Sequence, residues 1–153
     1  MNLFTKIKKL LDDNNVKYKI IEHEHIVSAE EAARVRKEDI SLSVKALLLK
    51  DDKGFLICGV SGNRKIDSKK LRKVLGTRDL RFATLEEVKE ISGVERGAVA
   101  PFGNLLGLRM FIDKNVLDHD YVVFSAGVHI RSIKMKTEDY VNIVKGKIEE
   151  FSK

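Results

Sequence analysis

The chain has 153 residues, of which 43% are hydrophobic and 34% are charged. This balance excludes a disordered chain and indicates a globular protein with its own hydrophobic core. No apolar run approaches the roughly 20 residues of a membrane helix, and the charged start MNLFTKIKKLLDDNN is unlike a secretory signal. The single cysteine, Cys58, excludes an internal disulfide and favours a reducing compartment. We therefore expect one cytoplasmic domain over residues 1–153, with no membrane partner.

Apolar spacing and capping signals predict helices interspersed with hairpin-like strands. In chain order these elements are an amphipathic helix over residues 2–13, a strand over 16–20, a short helix opened by the capping box of Ser28 and Glu31, a hairpin over 43–60, a helix from Asp67 or Ser68 to Gly76, a helix between Thr84 and Gly93, strands at 108–112, 121–126 and 129–135, and a C-terminal helix from Thr137. This order is typical of an α+β fold built on a mixed, largely antiparallel sheet.

The positive charge of the chain is concentrated in one segment. The formal net charge is +6, and residues 63–81 account for all of this excess. Such a segment is either a solvated helix face or a surface for an anionic partner such as nucleic acid. Its basic residues are Arg64, Lys65, Lys69, Lys70, Arg72, Lys73, Arg78 and Arg81.

Lys45 is the unexpected residue of the apolar run VKALLLK. On a strand it shares one face with Leu47 and Leu49, while the alternate residues take the other face. A lysine on an apolar face reaches out to solvent, lies near an anion or lines a cleft. Lys45 is therefore either a strand-edge lysine in water or an ammonium at a site wall that binds phosphate or another oxyanion.

The single proline of the chain lies in GAVAPFG, where four of the ten glycines fall between Gly93 and Gly107. Glycine can take backbone angles closed to other residues, and proline fixes one φ angle. Small side chains would let a ligand approach the main chain, whose N–H groups could then face a carbonyl or an oxyanion. The alternative is a rigid turn between a helix and the next strand. The loop consists of Gly97, Ala98, Val99, Ala100 and Pro101.

Other chemistry-bearing residues give weaker signals. His23 and His25 could share a strand face, but no cysteine or further histidine nearby completes a zinc site. Cys58 lies in an apolar run and is expected to be a buried apolar residue. The chain contains no nucleophile elbow, Walker loop or dinucleotide-binding glycine motif. We therefore expect neither a metal nor a cofactor.

Taken in order, these segments resemble the YbaK/EbsC family, also called the prolyl-tRNA-synthetase-associated editing domain. The matching segments are HEHIVSAEEAA, VKALLLKD, GNRKIDSKKLRKVLG, LRFATLEEVKEISGVERGAVAPFG and FIDKNVLDHDYVVFSAG, followed by the capped final helix. The resemblance runs from about His23 to Val144. Its specificity comes from the succession of a lysine strand, K-x-D-x-K-x-L, F-A-T-x-E-E and G-x-x-x-P-F-G.

The resemblance implies an α+β domain with a barrel-like mixed sheet and flanking helices. It also implies hydrolysis, usually in trans, of the ester that links a wrong amino acid to tRNA. In this picture Lys45 engages phosphate near the tRNA 3′ end, and the backbone of Gly97–Pro101 orients the aminoacyl carbonyl. Ser28, Ser125 and Gly127 take the places of further substrate-binding residues. The expected contacts to the acceptor stem are Arg64, Lys65, Lys69, Lys70 and Lys73.

The leading hypothesis is a trans-acting aminoacyl-tRNA deacylase for small amino acids such as cysteine, alanine or proline. Its ester substrate is already activated, so a positioned water, the ribose 2′-hydroxyl or a substrate thiol suffices as nucleophile. Pocket volume then excludes larger amino acids. The partners would be tRNA and, as a further candidate, an aminoacyl-tRNA synthetase. One alternative is a non-catalytic module that binds tRNA or another nucleotide, and another is an enzyme for a small phosphorylated or acyl compound.

Overall fold

The computed structural model describes residues 1–24, 31, 33–34 and 39–153. The helices are α1 (Leu3–Asp13), α2 (Ser68–Leu75), α3 (Leu85–Ser92), α4 (Gly103–Leu106) and α5 (Thr137–Val144), and short 3₁₀ helices occupy Ile40–Leu42 and Lys114–Asp118. The strands are β1 (Tyr18–Glu22), β2 (Val44–Asp51), β3 (Gly54–Ser61), β4 (Leu80–Phe82), β5 (Arg109–Asp113), β6 (Tyr121–Ser125), β7 (Arg131–Lys136) and β8 (Lys147–Glu149). No helix of the described residues is long and apolar enough to cross a membrane.

The capping signals predicted at Asp67 and Thr84 are confirmed, whereas α5 begins at Thr137 without the expected side-chain cap, and α1 has a cap that was not predicted. The Asn2 side chain accepts a hydrogen bond from Thr5 N–H at the start of α1. The Asp67 carboxylate caps α2, and Thr84 and Glu87 form a reciprocal capping box at α3. The predicted helix that begins at Ser28 lies largely outside the described residues.

The strands form two sheets, which confirms the mixed, largely antiparallel architecture. The larger sheet has the order β4-β2-β3-β5-β8, in which β2 is antiparallel to both of its neighbours. The β3–β5 and β5–β8 pairs are parallel. The smaller sheet has the order β1-β7-β6 and is antiparallel throughout.

The two sheets are joined by a parallel bridge between Ser43 and Val123, at the point where β2 begins. On the same outer edge, β2 pairs with β4 from Leu49 to Asp51, and Leu48 accepts a hydrogen bond from Ala83 N–H. Between these two points no strand of the described residues pairs with that edge. The barrel-like sheet that the resemblance implies is therefore open here rather than closed.

The hydrophobic core lies on both faces of the larger sheet, because strand residues alternate between faces. One face carries Val44 and Leu48, which pack in a cluster with α1, α5 and the smaller sheet. The other face carries Leu49 and Val60, which pack against Leu71 of α2. The place of a predicted site residue on the larger sheet is therefore given by the face on which it lies.

The carboxylate of Asp113, at the end of β5, anchors the chain that follows β8. It accepts hydrogen bonds from the N–H groups of Phe151 and Ser152 at 2.9 and 3.1 Å and from the Ser152 hydroxyl at 2.7 Å. Burial raises the pKa of Asp113, but these bonds and that from Asn115 outweigh it and lower the pKa below its ordinary value. Ser152 also bridges Ile66, so this anchor connects β5 to the entrance of α2.

We expect Asp113→Asn to lower the free energy of unfolding by about 1.5–3 kcal/mol at neutral pH, the value of a hydrogen bond to a charged group. Because the folded pKa is depressed, this stabilisation is present above the unfolded pKa and is lost as the pH falls through the folded pKa. The difference between variant and wild type should therefore shrink below about pH 4. Urea unfolding across pH measures it.

The matched control is Asp118→Asn, which makes the same chemical change at an exposed position of the neighbouring 3₁₀ helix. We expect it to change stability by less than about 0.5 kcal/mol. Equal losses in the two variants would contradict the role assigned to Asp113.

Candidate active site

The loop Gly97–Pro101 joins α3 to α4 and is packed tightly. Ala98 is 2% exposed and Ala100 is fully buried. Gly97 has a φ of 92°, which favours glycine and explains the residue at this corner. Ala98 N–H donates to the Glu95 carbonyl at 3.0 Å, so this amide is used inside the turn. An oxyanion would therefore have to use the remaining amides of Gly97, Val99 and Ala100.

Tyr140 holds the end of this loop, and sequence reasoning missed its role. Its hydroxyl donates to the Pro101 carbonyl at 2.7 Å, and the ring is fully buried. The ring lies in edge contact with Phe102 and packs against Phe124, at centroid distances of 5.7 Å in both cases. Burial raises the pKa of Tyr140, so it stays a neutral hydrogen-bond donor. The sequence shows only an apolar position of a C-terminal helix there.

Strands β2 and β3 pair beneath the Tyr140 hydroxyl, and Gly59 of β3 is the residue that lies next to it. Lys45 lies opposite Val60, and the next residue, Ala46, lies opposite Gly59. A Cβ atom at Gly59 would lie 3.6 Å from the Tyr140 hydroxyl, in ordinary contact, and 3.3 Å from the Met110 and Val44 side chains, so β3 passes close beneath that hydroxyl. Alternation along β2 directs the half-buried Lys45 to the other face, which α2 covers.

Lys45 lies at the opening in the outer edge of β2. The parallel bridge from Ser43 to Val123 sets β2 and β6 side by side. Two residues beyond that bridge, the parallel strands carry Lys45 and Ser125 at the same level, and no strand of the described segments pairs there. The register of this bridge therefore sets Lys45 and Ser125 at equal distances along their strands, and their joint role in a site stays a prediction.

The segment after β6 connects this gap to the loop. The ring of His129 makes a hydrogen bond of 3.0 Å to the carbonyl of Arg96, the residue before Gly97. The Ala126 N–H donates to the Arg131 backbone carbonyl at 3.1 Å, and this hydrogen bond closes the turn that carries His129. Ser125, the turn and the loop thus border the same region. Contact of the Lys45 ammonium with the loop itself stays a prediction.

Close packing and backbone conformation both explain why a glycine occupies position 127. Its φ is 83°, and a Cβ atom there would lie 2.9 Å from the backbone nitrogen of Phe4 and 3.0 Å from the Leu3 side chain. Glycine therefore allows the turn to approach the start of α1 closely. Its predicted role in binding substrate stays a prediction.

Of the two histidines His23 and His25, the structure describes His23. The Nε2 atom of His23 makes a hydrogen bond of 2.8 Å to the Ser132 hydroxyl, and its Nδ1 atom makes one of 2.7 Å to the Glu24 carbonyl. Both ring nitrogens of His23 thus have structural partners. His25 and the predicted substrate-binding residue Ser28 lie outside the described residues.

The basic residues of segment 63–81 are not equally available to an anion. Lys65, Lys69 and Lys73 are exposed, whereas Arg64 is half-buried. Lys70 donates to the Ser152 carbonyl at 3.2 Å and lies 3.6 Å from Glu150, so it also ties α2 to the chain end.

Arg81 forms a bidentate ion pair with Glu87, in which its two terminal nitrogens donate to the two carboxylate oxygens at 2.7 and 2.9 Å. The hydrogen bond from Arg81 lowers the pKa of Glu87 to about 2, and the Thr84 backbone N–H adds to the effect. The charge of Arg81 is therefore balanced within the protein. The available positive charge of the segment lies mainly on α2, which packs against the face of the larger sheet that carries Leu49 and Val60.

The chain belongs to the aminoacyl-tRNA editing domain family, whose sequence model matches residues 23–143. It is 30% identical to the prolyl-tRNA editing protein ProX of Acetoanaerobium sticklandii, over 88% of this chain and 86% of that protein. It is 25% identical to the multifunctional Ser/Thr-tRNA deacylase ProXp-y of Escherichia coli K12, over 93% and 88% of the two chains. Its fold matches a solved structure described as a candidate trans-editing enzyme for prolyl tRNA synthetase, with a TM-score of 0.86, 23% identity and coverage of 100% and 98%.

We expect Tyr140→Phe to lower the free energy of unfolding by about 1–3 kcal/mol, because the buried Pro101 carbonyl loses its donor while the aromatic packing is kept. Urea unfolding at neutral pH measures the change. Tyr121→Phe removes a hydroxyl from an exposed ring and is the matched control. If both variants unfold like the wild type, the hydroxyl does not hold the loop.

Proposed function

We propose that this protein is a trans-acting aminoacyl-tRNA deacylase, which hydrolyses the ester between a tRNA and a mischarged small amino acid. It acts in the cytoplasm as a single editing domain. The observation that carries the proposal is the opening at the outer edge of β2, where Lys45 and Ser125 lie level and the segment 126–131 reaches the residue before Gly97. Membership of the aminoacyl-tRNA editing family supports the reaction class.

The chemistry requires positioning more than a protein nucleophile. An aminoacyl ester is activated, so a water, the ribose 2′-hydroxyl or a substrate thiol can attack the carbonyl once it is oriented. The remaining amides of the Gly97–Pro101 loop orient the carbonyl and stabilise the developing oxyanion. Lys45 contributes its charge to a phosphate near the 3′ end and forms no covalent bond.

Selection among amino acids follows from the size of the space beside the loop. The alanines of the loop are buried, and Tyr140 fixes the Pro101 carbonyl behind them, so the wall cannot yield to a larger side chain. Cysteine, alanine, proline, serine and threonine form the panel of amino acids to be tested. The two relatives named above act on prolyl and on Ser/Thr substrates by their names.

We expect Lys45→Ala to lower kcat/KM for the preferred misacylated tRNA by about 10- to 150-fold, the kinetic equivalent of losing one hydrogen bond to a charged group. Lys45→Arg should retain more activity because it keeps the positive charge. Deacylation of tRNA that carries a radiolabelled amino acid measures the rates.

Lys50→Ala, on the same strand but close to the Phe55 ring, is the matched control and should leave the rate unchanged. The proposal fails if none of the misacylated tRNAs is deacylated faster than in buffer. Retention of tRNA without turnover would instead indicate a non-catalytic binding module.

We expect the double variant Lys69→Ala and Lys73→Ala to bind tRNA more weakly and with a smaller salt dependence. The slope of log K against log salt should fall by about 1.4–1.8, because each lost phosphate contact contributes about 0.7–0.9. Both side chains are exposed on α2, so folding is unaffected. Filter binding from low to high salt measures the slope.

The control removes the same amount of charge from two positions outside α2. Lys17→Ala and Lys19→Ala change two exposed lysines at the start of β1. If this pair lowers the salt slope as much as the α2 pair does, the contact is a general attraction and α2 is not the tRNA surface.

A further inference from the structure

A groove lies between the edge of the larger sheet and the start of β6, apart from the opening at Lys45. Its volume is about 570 Å³. Three large apolar side chains line it and remain substantially exposed, at 40% for Leu117, 43% for Tyr121 and 40% for Ile148. Polar and charged side chains, among them His119, Asp120, Lys136 and Glu138, line the rest of the groove, so its surface is mixed. Mixed surfaces of this kind are typical of contacts between proteins.

Ile148 is the central residue of β8, which is the last strand of the larger sheet. Within the described residues β8 pairs with β5 alone, and all three of its side chains are exposed. An unpaired strand edge presents N–H and C=O groups that can add a further strand. The groove and this edge of β8 therefore meet at Ile148.

The sequence of β8 is complementary to itself. In an antiparallel pair of two β8 strands centred on Ile148, Lys147 of each copy faces Glu149 of the other. Opposite charges directly across a strand pair attract, and this pair occurs twice under two-fold symmetry. The two Ile148 side chains then lie side by side on the face that carries both grooves.

The opposite edge of the same sheet lacks this property. The central residue of β4 is Arg81, whose charge is already paired with Glu87 of the same chain, and its neighbours Leu80 and Phe82 are apolar. An antiparallel pair of two β4 strands would therefore gain no attraction between opposite charges across the strands. Charge therefore distinguishes β8 from β4 as an edge for self-association.

From this geometry we propose that the protein forms a two-fold symmetric homodimer through β8, with the groove of Leu117, Tyr121 and Ile148 at its centre. The two larger sheets become one continuous sheet across the dimer. The interface is distinct from the opening at Lys45, so both sites face solvent in the dimer and the assembly does not depend on catalysis.

The test is sedimentation velocity of the wild type from about 1 μM to about 1 mM, with a dimer of twice the 17.4 kDa chain mass expected. Lys147→Glu places like charges opposite each other and should raise the dimer dissociation constant about tenfold or more. The double variant Lys147→Glu with Glu149→Lys restores opposite charges in reversed order and should dimerise like the wild type.

Lys17→Glu makes the same change in net charge on an exposed residue before β1 and should leave dimerisation intact. Circular dichroism confirms that each variant is folded. A wild type that is monomeric throughout, a Lys147→Glu variant that dimerises like Lys17→Glu, or a charge-reversed double variant that stays as weak as the single one would each overturn the proposal. Association of a monomeric wild type with a synthetase through β8 would assign the edge to a different partner.

Discussion

The interrupted pairing of β2 is the constraint on which the rest of the structure depends. Its inner edge is paired with β3 from Val44 to Asp51, whereas its outer edge is held at Ser43 by β6 and again from Leu48 onward by β4 and Ala83. The strand is thus held at both ends of its outer edge, and along the stretch between them no strand of the residues that the structure describes pairs with it. A polar residue on that stretch can face a ligand without weakening the sheet that positions it.

Rigidity on the other face comes from the hydroxyl of Tyr140. It is a polar group in the most apolar part of the molecule, and the Pro101 carbonyl is the partner that makes its burial favourable. The aromatic rings that pack against Tyr140 are Phe102, which directly follows the loop, and Phe124 of β6. The loop is therefore an extension of the hydrophobic core, which explains how a turn of small residues can keep a fixed shape.

Local signals in the sequence predicted local structure well, and pairing across the chain was harder to predict. The hairpin of β2 and β3 and the caps at Asp67 and Thr84 follow from neighbouring residues, and all are confirmed. The three-residue strands β4 and β8 carry too few residues to show an alternating pattern, and they exist because β2 and β5 offer them an edge. The level placement of Lys45 and Ser125 likewise depends on one bridge between distant segments.

Gly59 lies in the interior of β3, next to the Tyr140 hydroxyl that holds the Gly97–Pro101 loop. A methyl group there would be in ordinary contact with the Tyr140 hydroxyl, and in tighter contact with Val44 and Met110. A residue larger than alanine would press on Val44, on Met110 and on the Tyr140 hydroxyl that donates to the Pro101 carbonyl. Among relatives, the size of the residue at this position should covary with the tyrosine and with the loop. Packing inside a strand thereby constrains the shape of a loop that lies far from it along the chain.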